Sequence, residues 1–131
     1  LKHAPSGFLS TIKRKVTATC GIVIDVSASK LKASQYDHAS DTYEKVSLSD
    51  REKIIDGHMV QRDCYSSFVV FYATDENEPD RNECLNSFEK FLVCQDKLVE
   101  EMIHDNFSNP NFGTKLINIK KQQLREEPAA A

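Results

Sequence analysis

The stretch Gln61-Arg62-Asp63-Cys64-Tyr65-Ser66-Ser67-Phe68-Val69-Val70-Phe71-Tyr72-Ala73 carries the densest run of large apolar side chains in the chain. From Arg62 to Ala73 it is aromatic-rich enough to be buried on most sides. Its length favours a helix over a strand, although Val69, Val70, Phe71 and Tyr72 also suit a strand. Read as a helix, it puts Asp63 in the first turn, where free backbone N–H groups and the helix dipole favour an anion. An Asp in that position is more often a plain helix-start residue than a catalytic one.

Downstream, Asp75 to Asp80 is acidic and holds Pro79, whose fixed φ suits a helix entry. Leu85, Phe88, Phe91, Leu92, Leu98, Val99, Met102 and Ile103 then keep to one stripe, which predicts an amphipathic helix packed on the body of the protein. Asn106 to Gly113 ends it. From Lys115 onward only Leu116, Ile117, Ile119 and Leu124 could anchor the chain, so residues 106–131 read as a weakly attached tail.

Upstream, Phe8, Leu9, Ile12 and Val16 predict a helix over residues 7–20, capped by Ser6 and stopped by a left-handed Gly21. Gly21-Ile22-Val23-Ile24-Asp25-Val26 follows as a β-branched alternating strand, so residues 1–26 form a helix and a strand and suggest an α/β layer. Ser27 to Asp56 is too polar to build a core of its own and too long for an ordinary connection; residues 27–60 read as an irregular insertion. Gly57 to Gln61 makes a brief strand or turn before the central helix.

With 131 residues the chain is one domain, or a domain with a tail. No apolar run reaches the roughly 18 residues a membrane span needs, and no signal peptide is written at the start. Cys20, Cys64, Cys84 and Cys94 form no C-x-x-C pair, so reduced thiols in a cytoplasmic protein are expected. The net charge of −3 conceals an asymmetry: residues 1–35 carry six Lys/Arg against Asp25 alone, whereas residues 75–105 carry ten acids against three bases. A basic segment of that kind can meet phosphate backbones.

Four motifs occur in one order: Phe8, Ile12 and Lys15 running into Gly21; Ser34-Gln35-Tyr36-Asp37-His38; Lys45 with Leu48-Ser49 and Arg51; and Gln61-Arg62-Asp63-Cys64-Tyr65-Ser66-Ser67-Phe68. In that order they resemble the carboxyl-terminal part of TnpB/OrfB-type transposases, RNA-guided DNA endonucleases with a RuvC-like (RNase H-like) domain. The resemblance covers Phe8 to about Ile103. It implies an α/β, mostly helical fragment of an RNase H-like domain, with one or two short strands and a degenerate zinc-ribbon insertion at 27–60. Residues 61–105 would then hold the catalytic-Asp helix and the acidic amphipathic helix.

The resemblance further implies that Asp63 is the last of three carboxylates holding a pair of Mg²⁺ ions. Phosphodiester hydrolysis asks for two metals, one to acidify the attacking water and one to stabilise the leaving oxygen. The other two carboxylates lie upstream of the matching segment in that family, and no motif around Asp25, Asp37, Asp41, Glu44 or Asp56 replaces them. Many relatives carry two C-x-x-C pairs in the insertion, but residues 34–61 contain no cysteine, and Asp37, His38, Asp41 and His58 have no zinc-site spacing, so no zinc is expected. Tyr36, Tyr43, Leu48 and Ile54 must then hold the insertion, or it stays mobile.

Lys13, Arg14 and Lys15, with Lys30 and Lys32, could track a nucleic-acid backbone, or form only a solvated face. Arg62 could face a phosphate or neutralise Asp63. The resemblance therefore points to DNA, and to guide RNA in the full-length context, with an upstream half of the same protein supplying the missing carboxylates. Alone, the chain is expected to be inactive. The competing reading is a non-catalytic nucleic-acid-binding or protein-interaction module, or a relic of a mobile element.

Overall fold

A computed structural model of the chain describes residues 4–107 and 109–128, so residues 1–3 of the expected first unit, and residues 108 and 129–131 of the expected tail, lie outside the described residues. The fold mixes helix and strand, 51% helical with two small antiparallel sheets. Among the described residues no helix is long and apolar enough to cross a membrane.

Helix α1 runs Ala4–Ala18, so the backbone of Ser6 lies inside it and not at its cap. Pro5 occupies its first turn, where a missing N–H costs nothing. Its end is a Schellman arrangement: the Cys20 N–H donates to Thr17 O (3.1 Å) and the Gly21 N–H to Val16 O (2.9 Å). The left-handed residue is Cys20, at φ 61°, and not Gly21 as expected. Gly21 is needed for close approach instead, since a Cβ there would stand 2.6 Å from Val16 Cγ1.

The strand expected over Ile22–Val26 does not form. Branched side chains favour an extended backbone only where a neighbouring strand takes up the N–H and C=O groups, and among the described residues no strand pairs with this segment. Ile22 and Ile24 stand 85% and 77% exposed. The segment is tied at Asp25, which pairs with Lys13 of α1 at 3.0 Å, and at the Ser27 N–H, which donates to Asn77 Oδ1 at 2.7 Å.

The expected irregular insertion is the most ordered surprise. After the single turn α2 (Ala28–Leu31), β1 (Tyr36–Asp37) pairs antiparallel with β2 (Thr42–Tyr43), and β3 (Glu52–Ile55) with β4 (His58–Gln61). Asp56 and Gly57, at φ 48° and 75°, make the two-residue turn of the second hairpin, and the left-handed conformation of both residues gives the turn a twist that matches the right-handed twist of its strands. Far from lacking a core, this region supplies Leu31, Tyr36, Ile55 and Val60 to the central cluster, which Tyr65, Val69 and Phe88 complete. Each such side chain contributes about 1.5–3 kcal/mol of burial before entropy is subtracted. Of the four residues expected to hold the insertion, Tyr36 is buried, whereas Tyr43, Leu48 and Ile54 are exposed.

Helix α3 (Arg62–Phe71) follows β4 without a break, and the aromatic-rich stretch is helical as its length suggests. Asp80 caps α4 (Arg81–His104), its carboxylate accepting from the Glu83 N–H at 3.1 Å, and α4 lays Cys84, Phe88, Gln95, Val99 and Met102 inward. The tail holds a further helix, α5 (Lys115–Glu126), docked along α4 and β4. Thr114 gives it no side-chain cap; Glu52 of β3 does so instead, Oε1 accepting from the Lys115 N–H at 3.0 Å. Lys120 fastens its middle to Asp96 and Glu100 of α4 at 3.0 and 2.9 Å.

Candidate functional site

Asp63 is fixed through its neighbours. Gln61 caps α3, its side-chain oxygen accepting from the Cys64 N–H at 2.7 Å. The Gln61 N–H donates to Oε1 of Gln95 at 2.8 Å, and Nε2 of Gln95 donates to the Met59 carbonyl at 3.1 Å. A buried amide on α4 thus pins the junction where β4 becomes α3, because the buried Gln61 N–H and the part-buried Met59 carbonyl bond to it. The Asp63 carboxylate, 65% exposed, leaves this junction toward solvent.

It opens onto a pocket of about 280 Å³ whose walls include Ser34, Gln35, Lys45, Leu48 and Arg62. Ser34 and Gln35 arrive from the turn before β1, Lys45 and Leu48 from the strap between β2 and β3, and Arg62 and Asp63 from the start of α3. The pocket shares Gln35, Lys45 and Val46 with a second hollow of about 360 Å³ lined also by Asp37, Glu44 and Lys53.

Arg62 is only 12% exposed at its side chain. Nη1 donates to the carbonyls of Asp50, Ser47 and Leu48 at 3.1, 3.3 and 3.4 Å, and Nε lies 3.5 Å from Asp63 Oδ1. The guanidinium is therefore a clamp on the 47–50 turn that flanks the carboxylate. Lys13, Arg14 and Lys15 all sit exposed on α1 and line neither of these hollows, Lys13 being paired with Asp25.

Asp63 is the one acid on its pocket wall, and among the described residues no three His, Cys, Asp or Glu side chains converge. A single carboxylate beside a guanidinium and an ammonium does not make the donor set of a Mg²⁺ pair, which wants several oxygens of net negative charge. The residues of this chain fit one corner of such a site and no more. Two carboxylates of the insertion have local duties: Asp37 Oδ1 accepts from the Ala39 N–H at 2.8 Å, and Asp41 Oδ1 accepts from the Tyr36 hydroxyl at 2.8 Å.

Lys53 was not singled out by pattern, and His38 was named only as part of a motif and as a rejected zinc ligand. Lys53 of β3 donates to the Tyr36 carbonyl at 2.9 Å, with Nζ 4.4 Å from the Tyr65 ring centroid, and burial pushes its ammonium down to about 8. His38 is buried with Nδ1 2.9 Å from the Tyr65 hydroxyl and its ring 4.6 Å from that of Phe88; burial holds its imidazolium below the usual range. His58 is exposed, its ring 6.0 Å from that of Phe88. Neither signal was available from spacing, since both depend on which side of a short hairpin faces α3.

Comparison of the chain with known protein families, with curated proteins and with solved structures finds no match.

Proposed function

We propose that the chain is the carboxyl-terminal part of a TnpB-like transposase, an RNA-guided DNA endonuclease, and that Asp63 is the last metal-binding carboxylate of a two-metal site completed by an upstream half of the same protein. The observation that carries this reading is the convergence of separate motif pieces, Ser34-Gln35, Lys45 with Leu48, and Arg62-Asp63, on the walls of one pocket. These motif pieces span some thirty residues of sequence, and their meeting on one cavity wall supports a shared role. The exposed carboxylate at the end of β4 suits a group that must be met by ions and by oxygens from another part of the protein. On this reading the fold is a fragment of an RNase H-like domain, the ligands are DNA and guide RNA, and the place of action is the cytoplasm. Mg²⁺, when bound in the completed site, would acidify water and stabilise the leaving oxygen. This chain contributes one oxygen-bearing corner and the Arg62 clamp that holds the neighbouring turn.

The test is cleavage of plasmid DNA in Mg²⁺. The isolated chain leaves the DNA intact. Adding, as a separate polypeptide with guide RNA, the upstream part of a TnpB-type transposase restores cutting, and Asp63→Ala abolishes it. Cleavage by the isolated chain that Asp63→Ala removes would overturn the incompleteness, and restored cutting that survives Asp63→Ala would overturn the role of the carboxylate.

A second reading, a non-catalytic nucleic-acid-binding or interaction module, is favoured by α1, which exposes Lys13, Arg14 and Lys15.

A further inference from the structure

We propose that His38 is an acid-released latch: as the neutral imidazole it locks the β1–β2 hairpin onto α3 and α4, and on protonation it lets the hairpin open. The proposal stands on the packing around His38 and is independent of the nuclease reading.

The backbone N–H and Nδ1 of His38 both meet the Tyr65 hydroxyl. The His38 backbone N–H donates to the Tyr65 hydroxyl oxygen at 3.1 Å, so that oxygen is already an acceptor and its own proton is free to go to Nδ1, 2.9 Å away. This network assigns Nδ1 as acceptor and the ring proton to Nε2. Among the described residues no fully buried side-chain nitrogen or oxygen is left without a partner. A second ring proton would turn Nδ1 into a donor, so the tyrosine proton would have to turn away and would lose its acceptor. It would also place a charge among Tyr65, Phe68 and Phe88, with ring centroids 5.9, 6.2 and 4.6 Å away.

The charged and titratable neighbours divide. Asp37 on the hairpin and Asp56 at the β3–β4 turn favour the imidazolium, whereas Lys53 of β3 and Arg81 of α4 oppose it. Arg81 is close, Nε donating to the His38 carbonyl at 2.9 Å. From α3 the group met is Tyr65, kept neutral by burial, and the Cys84 thiol of α4 beside Tyr65 is pushed up to about 11 by burial. Burial outweighs the two carboxylates, so the folded His38 takes its proton at a lower pH than the unfolded chain does. Stability from the neutral form is intact above the unfolded value of 6.5 and is lost as pH falls from there through the folded pKa.

The loss is local because the hairpin's hold on the helices runs through few groups: His38, the buried Tyr36 ring and the Arg81 contacts to the carbonyls of His38 and Ala39. Gln35 and Lys45, on either flank of the hairpin, wall the pocket that Asp63 faces, so opening dismantles that pocket.

The experiment uses the full 131-residue chain. The His38 ring is titrated by NMR, and amide exchange protection is followed from pH 7 to pH 5, above the range where ordinary carboxylates titrate. The expected result is a His38 pKa below 6.5, with protection at the His38 and Glu44 amides falling by up to tenfold per pH unit once the unfolded form begins to protonate. Protection at Val99 in α4 holds over the same range. In His38→Phe, which keeps a ring, or His38→Asn, which keeps an acceptor for Tyr65, the acid sensitivity is absent. A His38 pKa at or above 6.5, flat protection at the two hairpin amides, an equal fall at Val99, or a folded variant that keeps the acid response each overturns the latch; the first three need no variant.

Discussion

Replacing Gln95 by Leu keeps the volume of the side chain and deletes both of its hydrogen bonds. The Gln61 N–H and the Met59 carbonyl, now 2.8 and 3.1 Å from Gln95 atoms, are left facing an apolar group inside the protein. Each buried backbone group stranded this way costs about 1–3 kcal/mol, and the added leucine returns part of that as apolar burial, for a net loss of about 2–4 kcal/mol. Against a whole-domain stability of about 5–15 kcal/mol this is a large fraction, and it moves the melting midpoint by on the order of 10 °C. Urea unfolding followed by circular dichroism measures it, with the slope on urea unchanged if only the native state is affected. The chain should still be folded at 25 °C in buffer. A loss under about 1 kcal/mol with an unchanged slope would refute the idea that Gln95 fixes the β4–α3 junction.

Lys53 makes the unfolding midpoint rise between pH 8 and pH 9, because the folded amine releases its proton near 8 while the unfolded one holds it to 10.5; above pH 9 the Cys84 thiol offsets the rise, since it ionises near 9 when unfolded and near 11 when folded, and Lys53→Met removes the rise in a urea series at stepped pH. Above pH 10 stability falls in both proteins, since burial keeps Tyr36 and Tyr65 protonated when folded and they ionise first when unfolded. Gly113→Ala puts a side chain at φ 103° and drives a Cβ into the Glu52 carboxylate that caps α5, so a loss of about 1–2 kcal/mol or more, with reduced helical ellipticity, is expected in thermal melts. If α1 tracks a nucleic-acid backbone, DNA affinity falls with salt, and neutralising Arg14 and Lys15 lowers the log–log slope by up to about two; a slope near zero in the parent chain removes α1 from nucleic-acid contact.

The two long helices were legible because periodic apolar positions act over many turns: Phe88, Val99 and Met102 mark the buried stripe of α4 without reference to anything else. The position of Asp63 at a helix start was legible from the length of the aromatic-rich stretch that follows it. Ile22–Val26 misled because branched residues state a preference that only a neighbouring strand can satisfy. The second hairpin was written in the sequence as Asp56-Gly57, a strong short-range turn signal, but a boundary drawn between those two residues hid it. α5 was hidden because its first turn is stabilised from outside and its apolar residues are few. Arg62 was visible as a basic residue beside Asp63, yet its true partners are carbonyls twelve to fifteen residues earlier, which no local pattern announces. His38 owes its burial to a hairpin whose strands are two residues long, too short for alternation to register, and Lys53 owes its environment to the packing of β3 against that hairpin and the Tyr65 ring.

The Glu52 cap on Lys115 spans 63 positions, and its direction along the chain has a consequence for biosynthesis. Translation delivers β3 and β4 well before Lys115 leaves the ribosome, so the carboxylate that starts the last helix is already mounted on a finished hairpin. The closing segment meets a waiting scaffold, and the costly first turn of a helix is nucleated by a ready-made acceptor and not by chance.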